Sequence, residues 1–240
     1  MKASALLLVP GLVLGLALAS CPPANAQNTG FPFTDEDLNY SVNWPSGLSL
    51  GEAHMHAKHS GTIWNFELNI DASVPGFQVK DTYRGNATNE FCSTAFDRIT
   101  SHGSRKTDEK ETISIASGGV TSVKRMTAGD GGESQFTAPG CVKDALTLLY
   151  YARRELGQGR VPPAQQFLFG SLHQIRLDYA GAQTITIAEA PVQTDKVICT
   201  IKTATGEIKF EAYFARDPAR TPLLFKSGLA MGFFLMELVR

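Results

Sequence analysis

Period-two alternation, repeated in segment after segment, is the feature of this chain that most limits its fold. DLNYSVNW places Leu38, Tyr40, Val42 and Trp44 on one side, with polar residues between them. TIWNFELNID repeats the pattern with Trp64, Phe66, Leu68 and Ile70 against Asn65, Glu67 and Asn69. LSLGEAHMHAKH, QVKDTYRGNAT, STAFDRITS and KETISIAS read the same way, and GGVTSVKRM follows with Gly118-Gly119 as a hairpin signal. Further along come AQQFLFG, LHQIRLDYA, TITIAEA, DKVICTIKT, EIKFEAYFA, PLLFKSG and MGFFLMELVR, with turns at Gly170-Ser171, Ala180-Gly181, Thr205-Gly206 and DPART. A strand apolar on alternate positions buries one face and wets the other. About six such strands, a break, then about seven more predict a mainly β fold: a large curved antiparallel sheet, as a half-barrel or a sandwich.

The break is VKDALTLLYYARRELGQG. Ala145, Leu146, Leu149, Tyr150 and Leu156 recur at three- and four-residue steps, which predicts one amphipathic α-helix over about 142–157. Asp144 stands at its start, as a cap or in its first turn. Arg153 and Arg154 favour the negative end of the helix dipole, and Pro162-Pro163 forbid continuation beyond Gly157. The helix is apolar enough to cover the concave side of a curled sheet.

The start of the chain has a different composition. Lys2 is the only charge before Asp35, and residues 3–19 are nearly all apolar. A basic residue, a short apolar run and a small-residue exit make a secretory signal peptide, too short to span a bilayer. Two exits compete. Leu18-Ala19-Ser20-Cys21 fits a lipobox, which would lipidate Cys21; Ala24-Asn25-Ala26 fits an ordinary cleavage site. The reading leans to the second. The expected organisation is therefore a signal peptide at 1–26 (1–20 for a lipoprotein), a flexible segment at 27–37 and one β-rich domain at 38–240. The protein is expected to be exported to the periplasm, with a membrane-anchored lipoprotein as the alternative.

The chain carries 22 basic and 23 acidic side chains, a net charge of −1, so neither a nucleic-acid surface nor a polybasic membrane patch is expected. With Cys21 lipidated or removed, Cys92, Cys141 and Cys199 remain for an oxidising compartment. Cys199 sits in the strand KVICTIK and reads as a small core residue. Cys92 and Cys141 lie at segment edges and are expected to pair. Their loop of about 50 residues would be worth about 4 kcal/mol in the chain-entropy description. The alternative is two unpaired buried thiols.

Candidate chemistry is sparse. His54 and His56 share a strand face about 7 Å apart, an H-x-H pair that lacks its third ligand; with Ala53, Met55 and Ala57 on the apolar side, the pair reads as outward-facing rather than as a metal site. In ARDPART, Asp217 between Arg216 and Arg220 could bind an anion, but Asp-Pro more often starts a turn, with Arg220 locking it through Asp217. Tyr151 and Arg154 on the helix rim could hold a lipid head group or a glycan, or simply lie over the sheet edge. There is no G-x-S-x-G, P-loop, G-x-G-x-x-G, H-E-x-x-H or C-x-x-C. No cofactor is implied.

LNYSVNWPSGLSLGEA, the helix DALTLLYYARRELGQGR, the FGS turn after it and the ending ARDPARTPLLFKSGLAMGFFLMELVR resemble the DUF3108 family of bacterial exported proteins of unknown function. The resemblance covers most of the chain beyond its start. It implies a β-rich envelope protein and supplies no catalytic residues. The expected function is non-catalytic: an envelope protein whose concave sheet binds a lipid or another apolar or amphipathic molecule. A structural or interaction protein with a filled core is the alternative. A hydrolase or lyase using Asp217 or the His54/His56 pair, metal-dependent in the latter case, is a third reading. Oligomeric state is not legible.

Overall fold

The computed structural model describes residues 35–74, 76–115, 119–229 and 232–239. The signal peptide, Cys21 and positions 27–34 of the segment read as flexible lie outside them; positions 35–37 of that segment already belong to the first strand.

Eight strands come first: β1 (Asp35–Asn43), β2 (Ser49–Ser60), β3 (Ile63–Val74), β4 (Phe77–Thr88), β5 (Ser93–His102), β6 (Arg105–Ile115), β7 (Val120–Thr127) and β8 (Gly132–Pro139). A two-residue strand β9 (Lys143–Asp144) leads into the helix α1 (Ala145–Gly157). Then come β10 (Gln165–Leu168), β11 (Leu172–Ile187), β12 (Ala190–Thr203), β13 (Gly206–Ala215), β14 (Pro222–Leu229) and β15 (Gly232–Leu238). All fifteen form one sheet in the order β8-β7-β6-β5-β4-β3-β2-β1-β15-β14-β13-β12-β11-β10-β9. Every ladder is antiparallel except β9–β10. The fold is mainly β: a large curved antiparallel sheet with one helix.

The connectivity shows how far the sheet curls. β8 and β9 are its opposite edges, yet only residues 140–142 join them, a stretch that reaches about 14 Å at most. The two edges are therefore brought together without pairing. The connector between them is held to the interior strand β5: Ser93 N–H donates to the Val142 carbonyl at 2.9 Å, and Cys92, just before β5, is bonded to Cys141. The expected disulfide is present, and Cys199 is a buried free thiol whose pKa is pushed up to about 12 by burial.

Alternation explains which side chains enter the core. Tyr40 and Val42 on β1, Ala53, Met55 and Ala57 on β2, and Trp64 and Phe66 on β3 are buried on one face. α1 lies across that face and presents two apolar stripes. Leu146 and Tyr150 join the cluster of Trp64, Phe66 and Phe91; Leu148 and Leu156 join Phe167, Ile175, Val197, Cys199 and Phe214 from the other half of the sheet. A helix held by two sheet walls hides more than a single stripe: Leu148 is buried, whereas Leu149, expected in the core, is only half-buried. No helix of the described residues is long and apolar enough to cross a membrane.

Two strand readings need correction. GESQFTAP is a strand, although only Phe136 and Ala138 mark its inner face. Ala180-Gly181 is not a turn: β11 runs through it as a bulge between Tyr179 and Ala182, where Gly181 takes φ 94°. The chain reverses instead at Ala188-Glu189, both left-handed at φ 46° and 64°, a conformation that more often marks glycine or asparagine.

Candidate functional site

An open cleft of about 440 Å³ lies where the end of α1 meets the second half of the sheet. Leu156, Gly159, Arg160 and Val161 come from the helix end and the segment after it, Tyr179 from β11, Asp195 from β12, and Arg216 and Arg220 from the loop between β13 and β14. Asp195 is the organising group. It is 8% exposed, and its Oδ1 accepts from Arg216 Nε at 3.1 Å, Arg216 Nη2 at 2.9 Å and Tyr179 OH at 2.9 Å. Its Oδ2 accepts from Arg220 Nη1 at 2.5 Å. Four donors fill the ordinary capacity of one carboxylate. Arg160, on the rim, donates through Nε to Glu155 Oε2 at 2.8 Å.

The loop that supplies the two arginines is built by its own sequence. Asp217 Oδ1 accepts from Thr221 N–H at 3.0 Å, and its Oδ2 accepts from the Thr221 hydroxyl at 2.7 Å, so Asp-Pro does start a turn. The expected Arg220–Asp217 lock is absent from it: with Asp217 taken by Thr221, Arg220 swings to Asp195, 25 residues away in the chain. Arg220 holds a left-handed backbone at φ 49°, a costly state for a side chain with a Cβ.

The other sequence candidates lie apart from this cleft. Tyr151 is flanked by cations, with Lys143 Nζ 4.4 Å and Arg154 Cζ 5.0 Å from its ring centroid, and Arg154 also lies 5.0 Å from the centre of Phe91. Their groups are spent on one another, which fits packing along the helix rim. His54 and His56 project from the outer face: His54 Nδ1 is 2.6 Å from Asn39 Oδ1, and His56 Nδ1 is 2.6 Å from Asp37 Oδ1. Among the described residues no group of three or more His, Cys, Asp or Glu is placed to hold a metal ion.

The DUF3108 family model, described as a protein of unknown function, matches residues 39–239, from β1 through the cleft to the end of β15. The chain belongs to the DUF3108 family. No curated protein matches the sequence of this DUF3108 chain. Among solved structures, a β-barrel-like protein of the domain of unknown function DUF1849 from Brucella abortus has a TM-score of 0.61. Its identity is 8%, over 87% of this chain and 97% of that one, so the likeness shows the fold alone. A structure from Bacteroides fragilis, described as an exported protein with a YmcC-like fold, covers 86% of this chain and 94% of that one. Its identity is 9% and its TM-score 0.30, and it carries no argument.

Two buried polar groups of the DUF3108 protein, Arg153 and Glu111, have roles that the sequence reading missed, and a third, Asp144, is the helix cap it expected. Arg153, fully buried, is not a dipole cation at the helix end. It donates to both oxygens of Glu36 at 2.6 and 2.7 Å and to the Ala219 carbonyl at 3.1 Å, tying α1 to β1 and to the arginine loop. Asp144 caps the helix from complete burial: its carboxylate accepts from Leu146 N–H, Thr147 N–H and the Thr147 and Ser93 hydroxyls at 2.6–3.0 Å. Burial still holds its pKa above the usual range against those bonds. Glu111, on the inner face of β6 and 2% exposed, has no hydrogen-bond partner for either oxygen among the described residues. Burial, and secondarily Glu109, push its pKa up to about 7, against Arg125 and Arg98. Those two arginines hold the Phe169-Gly170-Ser171 turn. Arg125 Nη1 donates to the Gly170 carbonyl, and Arg98 Cζ lies 5.1 Å from the centre of Phe169. The alternation of β6 puts Glu111 at an inward position between Glu109 and Ile113, the one signal that could have found it.

Proposed function

We propose that the protein is a non-catalytic component of the bacterial cell envelope, exported to the periplasm as a free protein, and that it binds an apolar or amphipathic small molecule. The observation that carries this reading is the cleft, where Leu156 and Val161 lie beside a rim of Arg160, Arg216 and Arg220. Such a mix of apolar wall and a few converging polar groups is the ordinary form of a small-molecule site. The concave face of the sheet is occupied by α1 and by the Phe169-Gly170-Ser171 turn. The reading therefore places the ligand at the helix end rather than deep in the curl.

Export is supported by the apolar start of the chain and by the Cys92–Cys141 bridge, which suits an oxidising compartment. Native mass spectrometry of protein purified from its own envelope tests the binding: a reproducible small-molecule adduct supports it, and bare protein at all collision energies counts against it. Intact mass tests the export route. A chain beginning at Gln27 fits a free protein; one beginning at Cys21 with a diacylglyceryl group replaces that reading by an anchored one.

A further inference from the structure

We propose that the cleft takes an acid group, a carboxylate or a phosphate on an otherwise apolar molecule, against Arg216 and Arg220, with Asp195 as the residue that positions both. This rests on the reading of the cleft as the ligand site. Four observations converge on it. Two guanidiniums share the Asp195 carboxylate beside an open volume of about 440 Å³. Asp195 already accepts from Arg216, Arg220 and Tyr179 and has no capacity for more. Arg220 spends one nitrogen on Asp195, while its Nε is buried with no acceptor among the described residues. Finally, the backbone accepts a left-handed φ of 49° at Arg220, the kind of local strain that gathers at binding sites.

The charges nearby leave a positive excess. Asp217, the other carboxylate of the loop, bonds the neutral Thr221 and offsets one guanidinium, but Glu155 serves two, so Arg154, Arg160, Arg216 and Arg220 together face three carboxylates. Glu155 answers Arg160 and Arg154, both of which it contacts. An acid head group held by Arg216 and Arg220 would also have Arg160 in the same lining, and the side chains of Arg216 and Arg160 are 47% and 59% exposed. Planar guanidinium donors suit a carboxylate or phosphate in a two-point grip. Leu156 and Val161 would then face the apolar part.

The test compares octyl phosphate, octanoate, octanol and inorganic phosphate by titration calorimetry on the disulfide-intact protein, with Arg216→Gln and Arg160→Gln alongside. Both substituted positions are exposed enough to leave the fold intact, which melting temperatures verify. The expected result is that octyl phosphate or octanoate binds at least tenfold tighter than octanol, and that Arg216→Gln removes about that factor for the acids while octanol is unaffected. Octanol binding as tightly as the acids overturns the acid site and leaves the amphiphile reading standing. Inorganic phosphate binding as tightly as octyl phosphate, with loss in Arg216→Gln, keeps the acid site and overturns the amphiphile reading. No binding by any of the four overturns both. Acid binding unchanged in both variants overturns the assignment to this cleft.

Discussion

Glu111 is a carboxylate in a wall of the core with no hydrogen-bond partner among the described residues, and this makes it a pH-dependent liability. Its pKa in the folded protein is about 7, raised from 4.5. Between those values the folded chain holds a proton that the unfolded chain has released. Its contribution is therefore fully present below about pH 4.5 and is lost as pH rises through 7. Glu111→Gln removes the titration. The variant should be more stable than the parent at pH 8, by a few kcal/mol at most, and close to it at pH 5. Melting curves at the two pH values check this; a parent-to-variant gap that stays constant with pH would show that Glu111 is ionised throughout. The Glu36–Arg153 pair makes the opposite case, a buried charge fully answered. Arg153→Met should cost about 3–5 kcal/mol, because Glu36 and Tyr150 lose the guanidinium they face. Glu36→Leu with Arg153→Met should recover most of that loss, as urea midpoints would show.

At the scale of elements, the start of α1 depends on a glycine in another strand. A Cβ added at Gly85 on β4 would sit 2.9 Å from Asp144 Oδ1 and 3.1 Å from Oδ2. Gly85→Ala should therefore push the cap off the helix and cost about 1–3 kcal/mol. In an Asp144→Ala background, which itself costs about 1–2 kcal/mol for the lost cap, the same alanine should be nearly neutral. Strictly additive losses in the four-member cycle would show that Gly85 is not there for the approach of Asp144. Elements were legible in the sequence wherever alternation was dense, as in TIWNFELNID, or switched to helical steps, as in DALTLLYYARRELG. GESQFTAP was hidden because a strand at the sheet edge needs few apolar residues on its inner face. The reversal at Ala188-Glu189 was hidden because its residues carry no turn signature. Of the cleft, Arg216 and Arg220 stood out in ARDPART, but Asp195 did not. Its role depends on the β12–β13 register and on loop geometry that bring distant residues to one carboxylate. No local pattern in PVQTDKV announces it.

Over the whole molecule, the Cys92–Cys141 bridge ties the connector between the two sheet edges to the start of β5 in the interior of the sheet, and it spans a sequence separation of 49. Replacing both cysteines by alanine should cost about 2–5 kcal/mol. Reduction should lower the melting temperature of the parent and leave the double variant unchanged. An equal shift in both would mean that the reductant acts elsewhere.

The strand order also has a consequence in time. From β1 to β8, and from β10 to β15, every neighbour in the sheet is a neighbour in the chain. Hairpins of this kind close short loops and can form early. One ladder, β1–β15, joins residues about two hundred positions apart, such as Val42 and Met236. The two meanders should therefore nucleate as separate arms, with their seam the last contact made on refolding and the first to part. Val42→Ala at that seam should leave the refolding rate nearly unchanged and accelerate unfolding. Ala87→Gly inside the first arm should slow refolding. Stopped-flow chevrons of the two variants would order the events, and a slowed refolding limb for Val42→Ala would place the seam in the nucleus instead.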